Sequence, residues 1–313
     1  MKIDLKSLLI ISLGYIVVLF LVAFFSNRIY KKNRKFIYNP YVYALSLGVY
    51  CTSWTYYGSV GRASTNGIEF LAIYVGPTLI VFSWWFLLRK IIVITERYNI
   101  NNIADFLSFR YGRSTRFGVI VTILNIFGII PYISLQLKAI TESFTIVLGH
   151  YVEYELPIFS DSAFYISIFM GILAAAFGIH HIGENRKHPA LVGVITFESI
   201  VKLIIFLIAG VYILKFTNGI SGLFEYLSSN RDIESVRRII TLGNGENSYG
   251  KWFAMLIMSM FAVMFLPRQF QMAVVENDSL KHLKFAMYLF PFYLFLINLF
   301  VIPIALAGKI YLV

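Results

Sequence analysis

Long apolar runs recur along the chain, each near the length a helix needs to cross a bilayer, and short charged segments separate them. The first run, Leu5 to Phe25, is followed at once by Arg28, Lys31, Lys32, Arg34 and Lys35. A hydrocarbon core of roughly 30 Å is crossed by about 20 helical residues. On that measure eight spans are predicted, at 5–26, 41–61, 67–91, 115–149, 162–182, 190–215, 251–267 and 284–308. The run 115–149 exceeds the bilayer and is expected to tilt or to continue beyond it. The pattern predicts an all-α polytopic membrane protein. Between the spans, 94–114 sets Ile103, Phe106, Leu107 and Phe109 among mixed charges. It predicts a short amphipathic surface helix capped by Asn101 or Asn102. The glycine-rich stretch 217–250, around FEYLSSNRDIESVRRII, predicts a loop with one short helix.

Composition sharpens this reading. The chain is 58% hydrophobic and only 14% charged, with mean hydropathy +0.74; a soluble domain is nearer about 25% charged. The net charge of +11 would suggest nucleic acid in a soluble protein. Here the basic residues are spread over separate loops, which argues against a nucleic-acid partner and for anionic headgroups of a lipid bilayer. If 27–40 is cytoplasmic, so are 89–116, 183–190 and 268–284, and these four segments hold 16 of the 27 basic residues. The opposite side holds nine, and 149–162 has acidic Glu153, Glu155 and Asp161 with no Lys or Arg. The asymmetry places the N-terminus outside. The first run is too long for a signal peptide, and no small-residue cleavage site follows it. The single cysteine, Cys51, excludes an intrachain disulfide and a multi-cysteine metal site.

Polar residues inside the apolar runs mark where chemistry can sit. Residues 46–60, SLGVYCTSWTYYGSV, place Gly48, Thr52, Ser53, Thr55, Gly58 and Ser59 in the second span. Such residues let a helix open near 48–53, so that freed carbonyls face a cation and freed N–H groups an anion. They serve equally for close helix–helix packing. Gln136 and Lys138 follow Pro131, and an intramembrane lysine should face a cavity or a partner unless it snorkels to the interface. Glu198 and Lys202 are spaced i, i+4 in the order that favours a self-neutralised ion pair. Pro267, Arg268, Gln269 and Gln271 read as the cytoplasmic end of the seventh span, where proline ends or breaks the helix. His180 and His181, with Glu184, form too sparse a set for a transition-metal site.

These same segments resemble the sodium:solute symporter family. The segment I-A-D-F-L-x-x-R-Y-G, Ile103 to Gly112, is similar to a cytoplasmic stretch of those symporters. YALSLGVYCTSWTYYGSVGRA (43–63), PYISLQLKAI (131–140) and LPRQFQMAVVEN (266–277) resemble the symporter-like sensor domain of bacterial histidine kinases more closely. The resemblance covers nearly the whole chain. It implies a fold of two inverted five-helix repeats after one extra helix. Residues 1–40 would be the extra helix and its basic loop, 41–215 the first repeat and 251–308 the start of the second.

On this resemblance the remaining helices would lie beyond Val313, and the expectation is a truncated single domain over 1–313 with no kinase region and no enzymatic activity. The implied function is binding or transport of a small solute, such as an amino acid, with sodium. The chain would be the sensory or transport part of a histidine kinase system in a bacterial inner membrane, with a kinase region encoded downstream as partner. The alternatives are a truncated proline-type symporter and a non-transporting remnant. No cofactor is implied beyond a sodium ion. By the resemblance, backbone carbonyls of Gly48 and Cys51 would hold sodium. Ser53, Trp54, Tyr56 and Gln136 would line a solute site, with Phe261 and Phe265 as apolar walls.

Overall fold

The computed structural model of the chain describes residues 4–149, 159, 162–179, 187–229 and 248–311. Every regular element among the described residues is helical. Helix α1, Leu5–Lys32, is apolar around most of its circumference and ends on Lys31 and Lys32, charges that suit a helix C-terminus. A single turn, Arg34–Ile37, leads to Asn39, whose Oδ1 accepts the N–H groups of Tyr41 and Val42 at 2.9 Å each. Pro40 at the first helical position has no N–H to satisfy, so Asn-Pro starts helix α2, Pro40–Ser46.

Helix α2 tightens into a 3-10 turn, Leu47–Tyr50, and stops. Cys51 and Thr52 are extended, and helix α3 runs from Ser53 to Asn66. The break lies inside the 48–53 window expected from the sequence. Gly67, at φ 61°, ends α3 in a left-handed conformation that a side chain would resist. After a 3-10 turn come α4, Ala72–Ile80, a second 3-10 turn at Val81–Ser83, and α5, Leu87–Arg97. The surface helix α6 is Ile103–Arg110, and Asn102 rather than Asn101 caps it, its Oδ1 accepting Asp105 N–H at 2.8 Å.

Helix α7, Thr115–Val147, contains Pro131 and is about 50 Å long at 1.5 Å per residue, longer than a bilayer core. Helices α8, Ser162–Ile179, α9, Pro189–Phe216, α10, Gly219–Ser229, and α11, Ser248–Phe265, follow. Beyond α11 the axis bends by 49° into Pro267–Val275. That segment is one α turn, Pro267–Phe270, and one π turn, Gln271–Val275. Helices α12, Leu280–Asn298, and α13, Val301–Tyr311, complete the described chain.

Among the described residues five helical stretches are long and apolar enough to cross a bilayer, or six if the bent pair 249–275 counts as one span. The expectation of eight is met only to that extent, for a physical reason. The second expected span is split at Cys51–Thr52, the third is interrupted between Ile80 and Leu87, and the fifth contributes a shorter apolar helix, Phe164–Ala175. His180, His181, Glu184, Glu153, Glu155, Asp161 and the 230–247 part of the expected loop lie outside the described residues.

The core forms where α2 packs on α12 and α9, and α4 on α11. Trp84 stacks on Phe290 at 5.7 Å between centroids, with Leu47, Phe270, Leu294 and Ile297 buried around them. Small residues set the closest approaches. A Cβ on Gly76 would stand 2.5 Å from the Leu256 carbonyl oxygen, and Ser259 Oγ donates to the carbonyls of Ala72 and Leu256 at 2.8 Å each. Between apolar surfaces in lipid, such contacts bring helices together where hydrophobic driving force is weak.

Candidate functional site

The break between α2 and α3 forms one wall of a cavity of about 510 Å³. Gly48, Val49, Cys51, Thr52, Ser53 and Tyr56 come from the break, Tyr132, Gln136 and Ile140 from α7, Ile195, Glu198, Ser199 and Lys202 from α9, and Arg268 from the bend after α11. A second hollow of about 440 Å³ adjoins it through Ser53, Tyr56 and Ile140.

Local chemistry holds the break open. Thr52 N–H donates to Thr55 Oγ1 at 3.1 Å, so the α3 N-terminus is closed by a side chain rather than by continuing helix. Ser53 Oγ donates to Gln136 Oε1 at 2.5 Å, and Trp54 N–H reaches the same oxygen at 3.4 Å. That clamp ties α3 to α7 and fixes the amide with Nε2 away from α3. Gln136 Nε2 and the Tyr56 hydroxyl are buried and have no partner among the described residues. Across the cavity Lys202 is ion-paired with Glu198 one turn earlier and donates to the Cys51 carbonyl at 3.3 Å. Arg268 donates to the Tyr132 hydroxyl and lies over that ring, 4.4 Å from its centroid.

The structure therefore brings Gly48, Cys51, Ser53, Tyr56 and Gln136 together around one space. Trp54 turns away, its indole lying over Gly58, where a Cβ would be 2.3 Å from the ring. Phe261 and Phe265 stack on each other on the outer face of α11, 50% and 39% exposed, and do not line the cavity. Lys138 pairs with Glu142 at 3.8 Å on the α7 surface and does not line it either. Sequence reasoning missed Tyr132 and Ser199, and gave Glu198, Lys202 and Arg268 only local roles. The signal for Arg268 was its place directly after the proline that bends the seventh span.

The residues expected to hold sodium do not fit that ion. The Gly48 carbonyl accepts Cys51 N–H at 2.9 Å, and the Cys51 carbonyl accepts the Lys202 ammonium. A sodium ion there would have to displace the Lys202 ammonium from the Cys51 carbonyl.

A second polar cluster secures the bend from the other side. Glu276, 1% exposed, ends the π turn. It accepts Tyr38 Oη at 2.8 Å, His188 N–H at 3.0 and 3.1 Å, Gln271 Nε2 at 2.9 Å, and lies 3.0 Å from His188 Nδ1. Asp278 pairs with Lys187 at 2.5 Å and with Arg34. The hydrogen bond to Glu276 holds the His188 imidazole above the ordinary histidine range, against the effect of burial. Burial pushes the Asp278 carboxyl up, but hydrogen bonds from Lys187 and Arg34 outweigh it and hold the group below the usual carboxylate range.

No family model, no curated protein and no solved structure matches this chain.

Proposed function

We propose that the chain is a solute-binding membrane module, the sensory or transport part of a histidine kinase system, and that a small polar solute such as an amino acid occupies the cavity at the α2–α3 break. The observation that carries this is a pair of buried groups on two lining residues, Gln136 Nε2 and Tyr56 Oη, which have no partner among the described residues. Buried polar atoms without partners are costly, and a ligand is one way to satisfy them. The discontinuous helix supports the same reading, because broken helices are where membrane proteins expose backbone to bound solutes. On this proposal the module has eight spans, counting the broken ones, an inverted-repeat fold and an outside N-terminus in a bacterial inner membrane.

The binding test is a solute-dependent rise in the unfolding midpoint of the purified chain, lost in Ile140→Trp, which fills both hollows. A panel of amino acids and organic acids that leaves the midpoint unmoved would reject the proposal. Orientation is tested by thiol labelling of Asn33→Cys in a Cys51→Ser background. A label reached only from outside the cell would reverse the topology.

A further inference from the structure

Among the described residues three charged side chains line the cavity: Glu198, Lys202 and Arg268. Glu198 and Lys202 neutralise each other. Arg268 has no ion pair among the described residues. Tyr132 orients its guanidinium through a hydroxyl and a ring face, and neither supplies charge. A guanidinium presents five N–H donors in a fixed fork, so most remain for another partner. An uncompensated cation inside a membrane protein is expensive and marks a binding path by default.

The neighbouring groups are also donors. Gln136 stands one helical turn from Tyr132 on α7, and its oxygen is already taken by Ser53 and Trp54. Its Nε2 is buried beside the cavity and has no partner among the described residues. The acceptors are in the opposite condition. The Glu198 carboxylate and the Cys51 carbonyl both receive the Lys202 ammonium. The chain thus fills from within the place where a ligand ammonium would bind, and leaves open a place for an anion.

Resting on the reading of this cavity as a solute site, we infer that its ligand is a small monocarboxylate held by Arg268 and Gln136 Nε2, and that an amino group on the ligand adds nothing to recognition. A carboxylate matches the guanidinium fork in charge and in planar geometry. Its oxygens also satisfy the stranded amide donor. Ile140 and Ile195 give the remainder of the solute an apolar wall.

The test uses the full chain in phosphatidylcholine nanodiscs and matched sets of small molecules. Propionate, L-alanine and L-alaninamide form one set; 4-methylpentanoate, L-leucine and L-leucinamide form the other. Affinities come from the dependence of the thermal unfolding midpoint on concentration. The acids and the amino acids of a set are expected to bind within about threefold of each other, and the amides at least about tenfold more weakly, the factor set by one lost charge-assisted contact. Arg268→Gln is expected to erase the difference between acid and amide. Gln136→Glu keeps the shape and the Ser53 clamp while placing a carboxylate beside the guanidinium, and should abolish acid binding even if the arginine variant fails to fold. An amide that binds as well as its acid overturns the carboxylate assignment while leaving solute binding intact. Binding of alanine or leucine without binding of the deaminated acid overturns the second half. Failure of every compound overturns this inference together with the reading it rests on.

Discussion

Replacing Glu276 by glutamine removes one charge and turns one acceptor into a donor, with little change of volume. Four donors converge on the carboxylate: the Tyr38 hydroxyl, the His188 N–H and ring nitrogen, and the Gln271 amide. Tyr38 can rotate its hydroxyl to accept from a new amide, so its contact survives in neutral form. The two His188 contacts lose their charge assistance, and the second carboxylate oxygen that shared the His188 N–H is gone. Hydrogen bonds to charged groups contribute about 1.5–3 kcal/mol each, against about 1 for neutral ones. Summing the differences gives a loss of about 3 kcal/mol for Glu276→Gln. Tyr38→Phe removes a single contact and should cost about 1.5 kcal/mol. The assay is equilibrium unfolding of the purified chain in mixed micelles with rising dodecyl sulfate, followed by tryptophan fluorescence. If Glu276→Gln unfolds within about 0.5 kcal/mol of the parent, the carboxylate does not hold the three segments together and the magnitude argument is wrong.

The same cluster gives a pH profile. The Asp278 carboxyl lies below its ordinary value of 3.8 in the fold, so its contribution is present above that pH and fades as pH falls through the folded value. The His188 imidazole lies above its ordinary 6.5, so its contribution is complete below that pH and is lost as pH rises through the folded value. The fall in stability on the alkaline side should therefore be steeper in the parent chain than in His188→Gln, and an identical alkaline limb in the two would contradict the assignment to His188. Gly76→Ala should cost about 1–3 kcal/mol, because the added carbon meets both the Ser259 hydroxyl and the fixed Leu256 backbone oxygen. Ser259→Gly removes only the first of these, so it should not fully rescue the variant, and a full rescue in the unfolding midpoint would show that the side chain is the whole obstacle. Cys51 is buried, so its thiol should react with maleimide only after unfolding; rapid labelling of the folded chain would show that the wall of the break opens.

Much of this was legible in the sequence where the local signal had a local cause. The second expected span begins at residue 41, and the structure starts α2 at Pro40, where the Asn39 cap and the missing proline N–H act within one turn. The glycine and hydroxyl residues of 46–60 predict the break because Thr55 can satisfy the Thr52 N–H within the same turn. The span count was less legible because hydropathy averages over a helix that sequence alone draws as continuous. It does not register the 3-10 turns at Leu47–Tyr50 and Val81–Ser83, or the 49° bend after Phe265. The aromatic walls were misjudged for a related reason. Phe261 and Phe265 are four residues apart and so share a face of α11, but nothing in that spacing says which neighbour the face meets.

Arg268 shows what long-range packing adds to a local pattern. Within the sequence it is the residue after a helix-ending proline, and a basic residue at a cytoplasmic helix end needs no further explanation. The bend changes its setting. Because the axis turns at Leu266–Pro267, the first turn beyond it is carried against the 3-10 turn of the other broken helix instead of onward into the loop. Tyr43 reinforces that approach by donating to the Ala273 carbonyl at 2.7 Å, an oxygen on the π turn. Glu276 holds the far end of the same turn to the segments before α2 and α9. The two irregular helices thus fix each other, and their breaks bring together residues that hydropathy assigns to separate ends of the chain. The Cys51 carbonyl with its internal ammonium and a guanidinium that has no ion pair among the described residues line the same cavity. A proline that merely ended its helix would have left that guanidinium in water, where its charge would select nothing.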